Sequence, residues 1–499
     1  MVFSSHIFLL YFLPVFLLVY FCVRERWRNA VLLVASIVFY AWGAPDFVLT
    51  LLASTVANFY LVKAMDKSRT TTARRLWCAA ALTVSLGLLA YFKYANFFVD
   101  NVNAMLTAFG LGTMTWTKVL LPIGISFFTF QSVTYVIDTY RGVNRPMQRL
   151  VDYVVYIIMF PQLIAGPIVR YNEIADQISA HRRLRWDECL QGFNRFVIGL
   201  SKKVLVADVI GRTVDVVLGG DLAALDSGTA WVTIAAYTMQ LYFDFSGYSD
   251  MAIGLGRILG FKFPENFNNP YVSTSVTEFW RRWHITLGTF MRNYLYIPLG
   301  GNRKGVWRTY LNLWVVFLLS GLWHGAGWNF VLWGAYHGFF LVLERLTGWN
   351  QPPQPQKNKN FNFQLAQQGR RQQLSILNLI KVLLTFLVVM VGWALFRIEN
   401  LGDCWTFLTR LFAFDFTPTQ THSQFSILNS QFIVTLIAAL CFAFVTLVPW
   451  GRKLQRWVYY TDYSPRQHLA VWTAAALLFF LCVGALAATD FSPFIYFRF

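Results

Sequence analysis

Apolar runs of membrane-spanning length alternate with short polar connections over the first 150 residues. The polar connections differ in kind: Arg24 to Arg28, Lys63 to Arg75 and Arg141 to Arg149 are basic, whereas the turns near Pro45 and from Asn101 to Thr115 carry little charge. Lysine and arginine accumulate in cytoplasmic loops, so this alternation predicts five crossings that begin outside. The first apolar segment, His6 to Phe21, has no basic residue before it and three arginines after it, which predicts a retained helix, not a cleaved leader. At the other end, apolar runs at about 374–396, 431–449 and 469–488 predict three further crossings. They flank a Gln/Asn-rich segment, 351–373, and a basic one, 451–466, both read as cytoplasmic. That places 397–430 and the C-terminus outside.

The middle of the chain follows a different pattern. Between residues 150 and 345 the apolar runs are shorter and are interrupted by Pro161, Pro167, Pro264, Pro270, Pro298 and many glycines. Broken backbone at membrane depth is tolerated where it lines a cavity, so this region is expected to hold re-entrant segments and the functional site.

Composition agrees with the pattern. Of 499 residues 56% are hydrophobic, 18% aromatic and only 13% charged, which excludes a soluble globular protein and indicates a polytopic membrane protein. The net charge of +18 sits in loops where topology requires it and does not call for nucleic acid. Six cysteines stand singly, without CxxC or metal-ligand spacing, and are read as packing residues. No internal repeat is visible.

Three stretches carry candidate chemistry. LYFDFSGYSDMAIGLG, 241–256, sets Asp244 and Asp250 in an apolar context, where carboxylates either line a substrate path or brace a broken helix. In TSVTEFWRRWH, Ser275 precedes Glu278 at capping-box spacing, and aromatics beside Arg281 and Arg282 suggest an amphipathic interfacial helix. From Phe279 to Tyr310 there are six basic residues and no acid, which as chemistry would form a cytoplasmic funnel for an anionic donor. In SGLWHGAGWNFVLWGAYHG, 320–338, glycines beside His324 predict a helix break at the imidazole. A neutral imidazole there can accept a proton as a general base, or can simply bond a backbone carbonyl. His337, 13 residues on, falls on another face and reads as structural. No HExxH and no ligand-spaced acid or cysteine suggests a metal.

Together with VFYAWG (38–43), YFKYANF (91–97), LLPIGISFFTFQSVTYVID (120–138), LIAGPIVR (163–170) and NFNNPY (266–271), these stretches make the chain resemble the membrane-bound O-acyltransferases, in particular their bacterial alginate O-acetyltransferase branch. The resemblance runs to about Phe396 and reappears at SPFIYFRF, 492–499; the loop 351–373 and the segment 401–468 match nothing in it. It implies an all-α polytopic fold of about eleven transmembrane helices plus re-entrant or interfacial helices around a central tunnel. His324 is then the catalytic histidine, and His284 a second polar site on the cytoplasmic side. The donor implied is acetyl-CoA or another acetyl thioester, with no bound cofactor and no metal. The implied partners are a periplasmic SGNH-hydrolase-like acetyltransferase, exopolysaccharide machinery and membrane lipid. The implied location is the bacterial inner membrane, with both termini periplasmic. FIYFRF resembles the C-terminal motif of a small partner protein in cell-wall D-alanylation, which makes Tyr496 a candidate acyl relay; an aromatic belt closing the last helix is the other reading.

These readings divide the chain into N-terminal transmembrane helices (1–150), a catalytic core (151–345), a cytoplasmic loop (346–373) and C-terminal helices with an external tail (374–499). Alginate is the expected polymer, with cellulose and peptidoglycan as alternatives. An ion-coupled transporter or polysaccharide export channel, with Asp244 and Asp250 carrying protons, is the competing class; the absence of repeat symmetry and the one-sided basic cluster oppose it.

Overall fold

A computed structural model describes residues 1–180, 182, 185–349, 375–416, 429–461, 463–488 and 494–495. Among these residues every regular element is helical. Lipid cannot satisfy a peptide group, so a chain this apolar must close its backbone bonds within each segment.

Among the described residues, five helices are long and apolar enough to cross a membrane: Pro45–Lys67, Thr71–Ala108, Ile376–Arg397, Ser430–Leu447 and Arg466–Ala487; Ile7–Cys22 is apolar but shorter. The last three coincide with the crossings expected near 374, 431 and 469. The expected count of about eleven does not follow from length and composition. The central third is built from shorter pieces, including Leu150–Ile158, Phe160–Leu163, Tyr171–Ser179, Val276–Arg282 and Ile285–Phe290. Thr71–Ala108, at 38 residues, is about 57 Å long at 1.5 Å per residue, well beyond the hydrocarbon thickness.

One central element departs from the expected broken pattern. The stretch 241–256 lies within a single unbroken helix, Ser227–Ile258, buried along nearly its whole length. Its glycines act as contact points, not breaks. A Cβ on Gly254 would lie 2.5 Å from the Gly192 carbonyl oxygen, and one on Gly247 2.7 Å from that of Gly199. Trp186–Ser201 therefore crosses Ser227–Ile258 antiparallel at backbone contact, at two points seven residues apart on each helix. Small residues that permit such approach are a common means of helix association where burial gains little from lipid.

The helix that carries His324, Val306–His324, ends where its glycines predict. Gly325 is extended at φ −162°, ψ 155°, and the chain turns into Trp328–Thr347. The Ser275 cap is present as well, though not the full capping box: Ser275 Oγ accepts from the Glu278 N–H at 3.0 Å, while the Glu278 carboxylate accepts from the Thr274 N–H, one residue before the cap, at 2.9 Å. The helix it starts, Val276–Arg282, is only seven residues long.

Candidate active site

The end of Val306–His324 is buried against aromatic rings. The His324 ring meets Trp323 at 4.9 Å, Trp333 at 5.1 Å and Phe396 at 5.2 Å between centroids. Trp323 is itself fixed, stacked on Phe130 at 5.4 Å, and its centroid lies 5.9 Å from that of His284. The two histidines, 40 positions apart in sequence, thus touch the same indole.

His284 is held by its backbone and by an asparagine. It occupies the left-handed region at φ 46°, where a β-branched or bulky residue would be strained, and it joins Val276–Arg282 to Ile285–Phe290. Its Nδ1 lies 3.0 Å from Asn266 Oδ1, which also accepts from the Thr286 hydroxyl at 2.8 Å; Asn266 Nδ2 donates to Ser249 Oγ at 3.0 Å. Asn266 is fully buried, so the NFNNPY stretch serves to orient the imidazole.

His337 lies apart from this pair. It is fully buried, with Trp280 at 4.9 Å, Trp333 at 5.1 Å and Tyr336 at 5.3 Å, and packs against Gly392 of the neighbouring helix. That environment agrees with a packing role.

The two carboxylates read as path-lining residues have separate surroundings, because six positions place them about 120° apart around a helix. Asp250 is bound by Arg195 Nε and Lys202 Nζ, each at 2.6 Å, and Arg195 also binds Glu265 at 2.6 Å. Asp244 is bound by Lys203 at 2.7 Å, and Lys203 also binds Asp208 at 2.7 Å. Lys202 and Lys203 are adjacent in a π-helical segment, Lys202–Ala207, and so face different sides. The second oxygen of Asp244 accepts the Ile495 N–H at 2.9 Å, and Phe494 and Ile495 are buried. Tyr496 lies outside the described residues.

Among the described residues, two cavities border neighbours of the histidine pair. One, of about 540 Å³, is lined by Arg195, Lys202, Asp250, Glu265, Asn266 and Tyr459, and so reaches the residue that orients His284. The other, of about 630 Å³, is lined by Lys93, Asn96, Asp100, Gly325, Trp328 and Glu399, and so reaches the break beside His324. Asp250 lies on the wall of the first, and Asp244 is enclosed by its partners. Arg282 binds Glu278 at 2.7 Å and the Asn268 carbonyl at 3.3 Å, next to the first cavity, and Arg281 is exposed. No group of three or more metal-ligating side chains occurs among the described residues.

Several residues of this site had no assigned role in the sequence. Arg195, Lys202, Lys203 and Asn266 lie far from their partners in the chain. Lys93, within YFKYANF, donates to the carbonyl oxygens of Trp323 and, at 3.2 Å, of His324, and Tyr94 donates to that of Leu322 at 2.8 Å. A lysine midway along an apolar helix was the signal.

The family model for the membrane-bound O-acyltransferase family matches residues 124–366. The chain is 44% identical over 449 residues to the probable alginate O-acetylase AlgI of Pseudomonas aeruginosa, covering 90% of this chain and 82% of that protein. It is 42% identical over the full length of both chains to the probable alginate O-acetylase AlgI of Pseudomonas putida. It is 35% identical to the peptidoglycan O-acetyltransferase of Helicobacter pylori, over 80% of this chain and 78% of that protein.

Proposed function

Because the chain belongs to the membrane-bound O-acyltransferase family, as an O-acyltransferase of its alginate O-acetylase-like branch, we propose that it takes an acetyl group from a cytoplasmic thioester and passes it across the inner membrane toward an exopolysaccharide. The observation that supports this reading is a pair of cavities, one lined by Asn266, which bonds His284, and the other lined by Gly325 and Lys93, next to His324. A passage joining them would let an acyl group through while a charged nucleotide stays behind.

The cavity beside Asn266 is the donor side. Pro449–Tyr460, which contributes Gln455 and Tyr459 to its wall, contains Arg452, Lys453 and Arg456 and no acid, as a cytoplasmic segment should. The cavity beside Gly325 is the acceptor side. An acceptor hydroxyl gives its proton to His324, its oxygen bonds to the thioester carbonyl carbon, the C–S bond breaks, and the thiolate leaves with the proton. His284, held by Asn266, faces the donor.

Acetyl-CoA is the probe donor. Purified protein in detergent should release CoA from it, and a transporter or channel would not. Arg281→Ala should raise the donor KM several-fold, with the difference shrinking as salt is added, because an exposed guanidinium acts through a screened field. Arg282→Ala should do the same and also free Glu278. His284→Ala should lower kcat. Unchanged kinetics in all three would remove this face from donor binding.

The first acceptor hydroxyl is that of Tyr496. Burial of Phe494 and Ile495 and the bond from the Ile495 N–H to Asp244 support a tail that enters the protein instead of resting at the lipid surface. A phenol departs more readily than an alkyl alcohol, so an acetyl-tyrosine stands sensibly between a thioester and a sugar ester. The next acceptor is a periplasmic SGNH-hydrolase-like partner, which completes transfer to an alginate-type polymer. Tyr496→Phe, which keeps the ring, should abolish polymer acetylation with normal insertion, and wild type lacking its partner should accumulate an acetylated C-terminal peptide in mass spectra. Full activity of the phenylalanine variant would mean direct transfer to the partner.

A further inference from the structure

The end of Val306–His324 poses a problem of backbone chemistry. A helix leaves its last carbonyl oxygens without intrahelical donors, and within a membrane protein each such group is costly if nothing replaces water. Here the chain breaks directly after the imidazole, so the orphan acceptors belong to the residues that place it: Leu322, Trp323 and His324 itself.

All three are supplied by two consecutive residues of Thr71–Ala108. Tyr94 Oη donates to Leu322 O at 2.8 Å; Lys93 Nζ donates to Trp323 O and, at 3.2 Å, to His324 O. Lys93 is 9% exposed, lies 3.4 Å from Ser126 Oγ, and sits 5.9 Å from the centroid of the Trp323 ring, the same indole that touches both histidines. A cation at a helix C-terminus is also favoured by the dipole. Lys93 borders the cavity that opens beside Gly325, which an apolar residue could border at less cost.

We infer that Lys93 is a positioning residue for acyl transfer: by binding the last two carbonyls of the broken helix it fixes the backbone from which His324 reaches the reacting hydroxyl. Tyr94 secures the preceding carbonyl, one residue further from the imidazole's own peptide, and contributes to the helix end without setting the ring. The inference rests on the reading of His324 as the base.

The test measures initial rates of CoA release from acetyl-CoA by purified full-length protein, with the melting temperature of each variant in the same detergent. Lys93→Met keeps the length and apolar stem and removes the donors. We expect its kcat to fall 30-fold or more with donor KM within twofold, a partial return in Lys93→Arg, and less than a fivefold loss in Tyr94→Phe at a comparable drop in melting temperature. If Lys93→Met keeps kcat within twofold, or if the losses in Lys93→Met and Tyr94→Phe simply follow their melting temperatures, the positioning role is overturned. Should the methionine variant not accumulate in the membrane, Lys93→Gln, which keeps one donor group, decides by the same readout; loss of both would mean a folding role only. His324→Ala in parallel separates the two claims. An active His324→Ala removes the base, whereas an inactive one beside an active Lys93→Met removes only the role of Lys93.

Discussion

Replacing His324 by alanine should reduce polymer-bound acetate in a complemented deletion strain to the level of the empty vector, while the protein still accumulates in the membrane. Loss of a general base typically costs 10²–10⁴-fold in rate, which at steady state leaves little measurable ester. The fold should survive because the imidazole is a buried ring among Trp323, Trp333 and Phe396, and alanine leaves the C-terminal carbonyls bound by Lys93 and Tyr94. Some stability is lost to the cavity. Near-normal acetylation in a well-inserted variant would take His324 out of the chemistry.

Lys203→Met should produce the opposite outcome, a failure of the fold before any question of rate. The ammonium is 2% exposed and binds two carboxylates, Asp208 and Asp244, each at 2.7 Å. Breaking a buried pair by removing one partner costs about 3–5 kcal/mol, because a charge stays behind without compensation, and here the buried Asp244 carboxylate would be left. Against a typical total of about 5–15 kcal/mol, that is a large share. The Asp244 carboxylate would lose its cation while still accepting the Ile495 N–H, so the tail should loosen with the core. The expected result is a variant that aggregates on size-exclusion chromatography in mild detergent, with partial recovery in the double variant Lys203→Met with Asp244→Asn. A monodisperse single variant with wild-type melting would show that the Lys203 pairs contribute little.

How much of this was legible in the sequence depended on whether the determinant was local. The C-terminal helices of spanning length, the Ser275 cap and the break beside His324 follow from patterns within a few residues, and the structure shows each of them. The unbroken Ser227–Ile258 helix was misread because Gly247 and Gly254 look like breakers until Gly199 and Gly192 are seen against them. The same limit hid the partners of Asp244 and Asp250. Their cations lie some 40 to 55 positions earlier in the chain, on a π-helical turn and on a helix brought close by those glycines. Asn266 and His284 are separated by 18 positions and meet only because His284 adopts φ 46°, which no local pattern announced. Lys93 was visible as an anomaly, a lysine in an apolar helix, yet its partners are backbone atoms about 230 positions away.

Sidedness is the central claim, and sealed vesicles test it most directly. Inverted membrane vesicles that contain the chain and its periplasmic partner in the lumen are given labelled acetyl-CoA outside only, which is the cytoplasmic face. The account predicts acetyl label on lumenal protein or polymer, CoA remaining outside, and no lumenal label with His324→Ala. Label that stays on the donor side, or lumenal label that persists without His324, would contradict it.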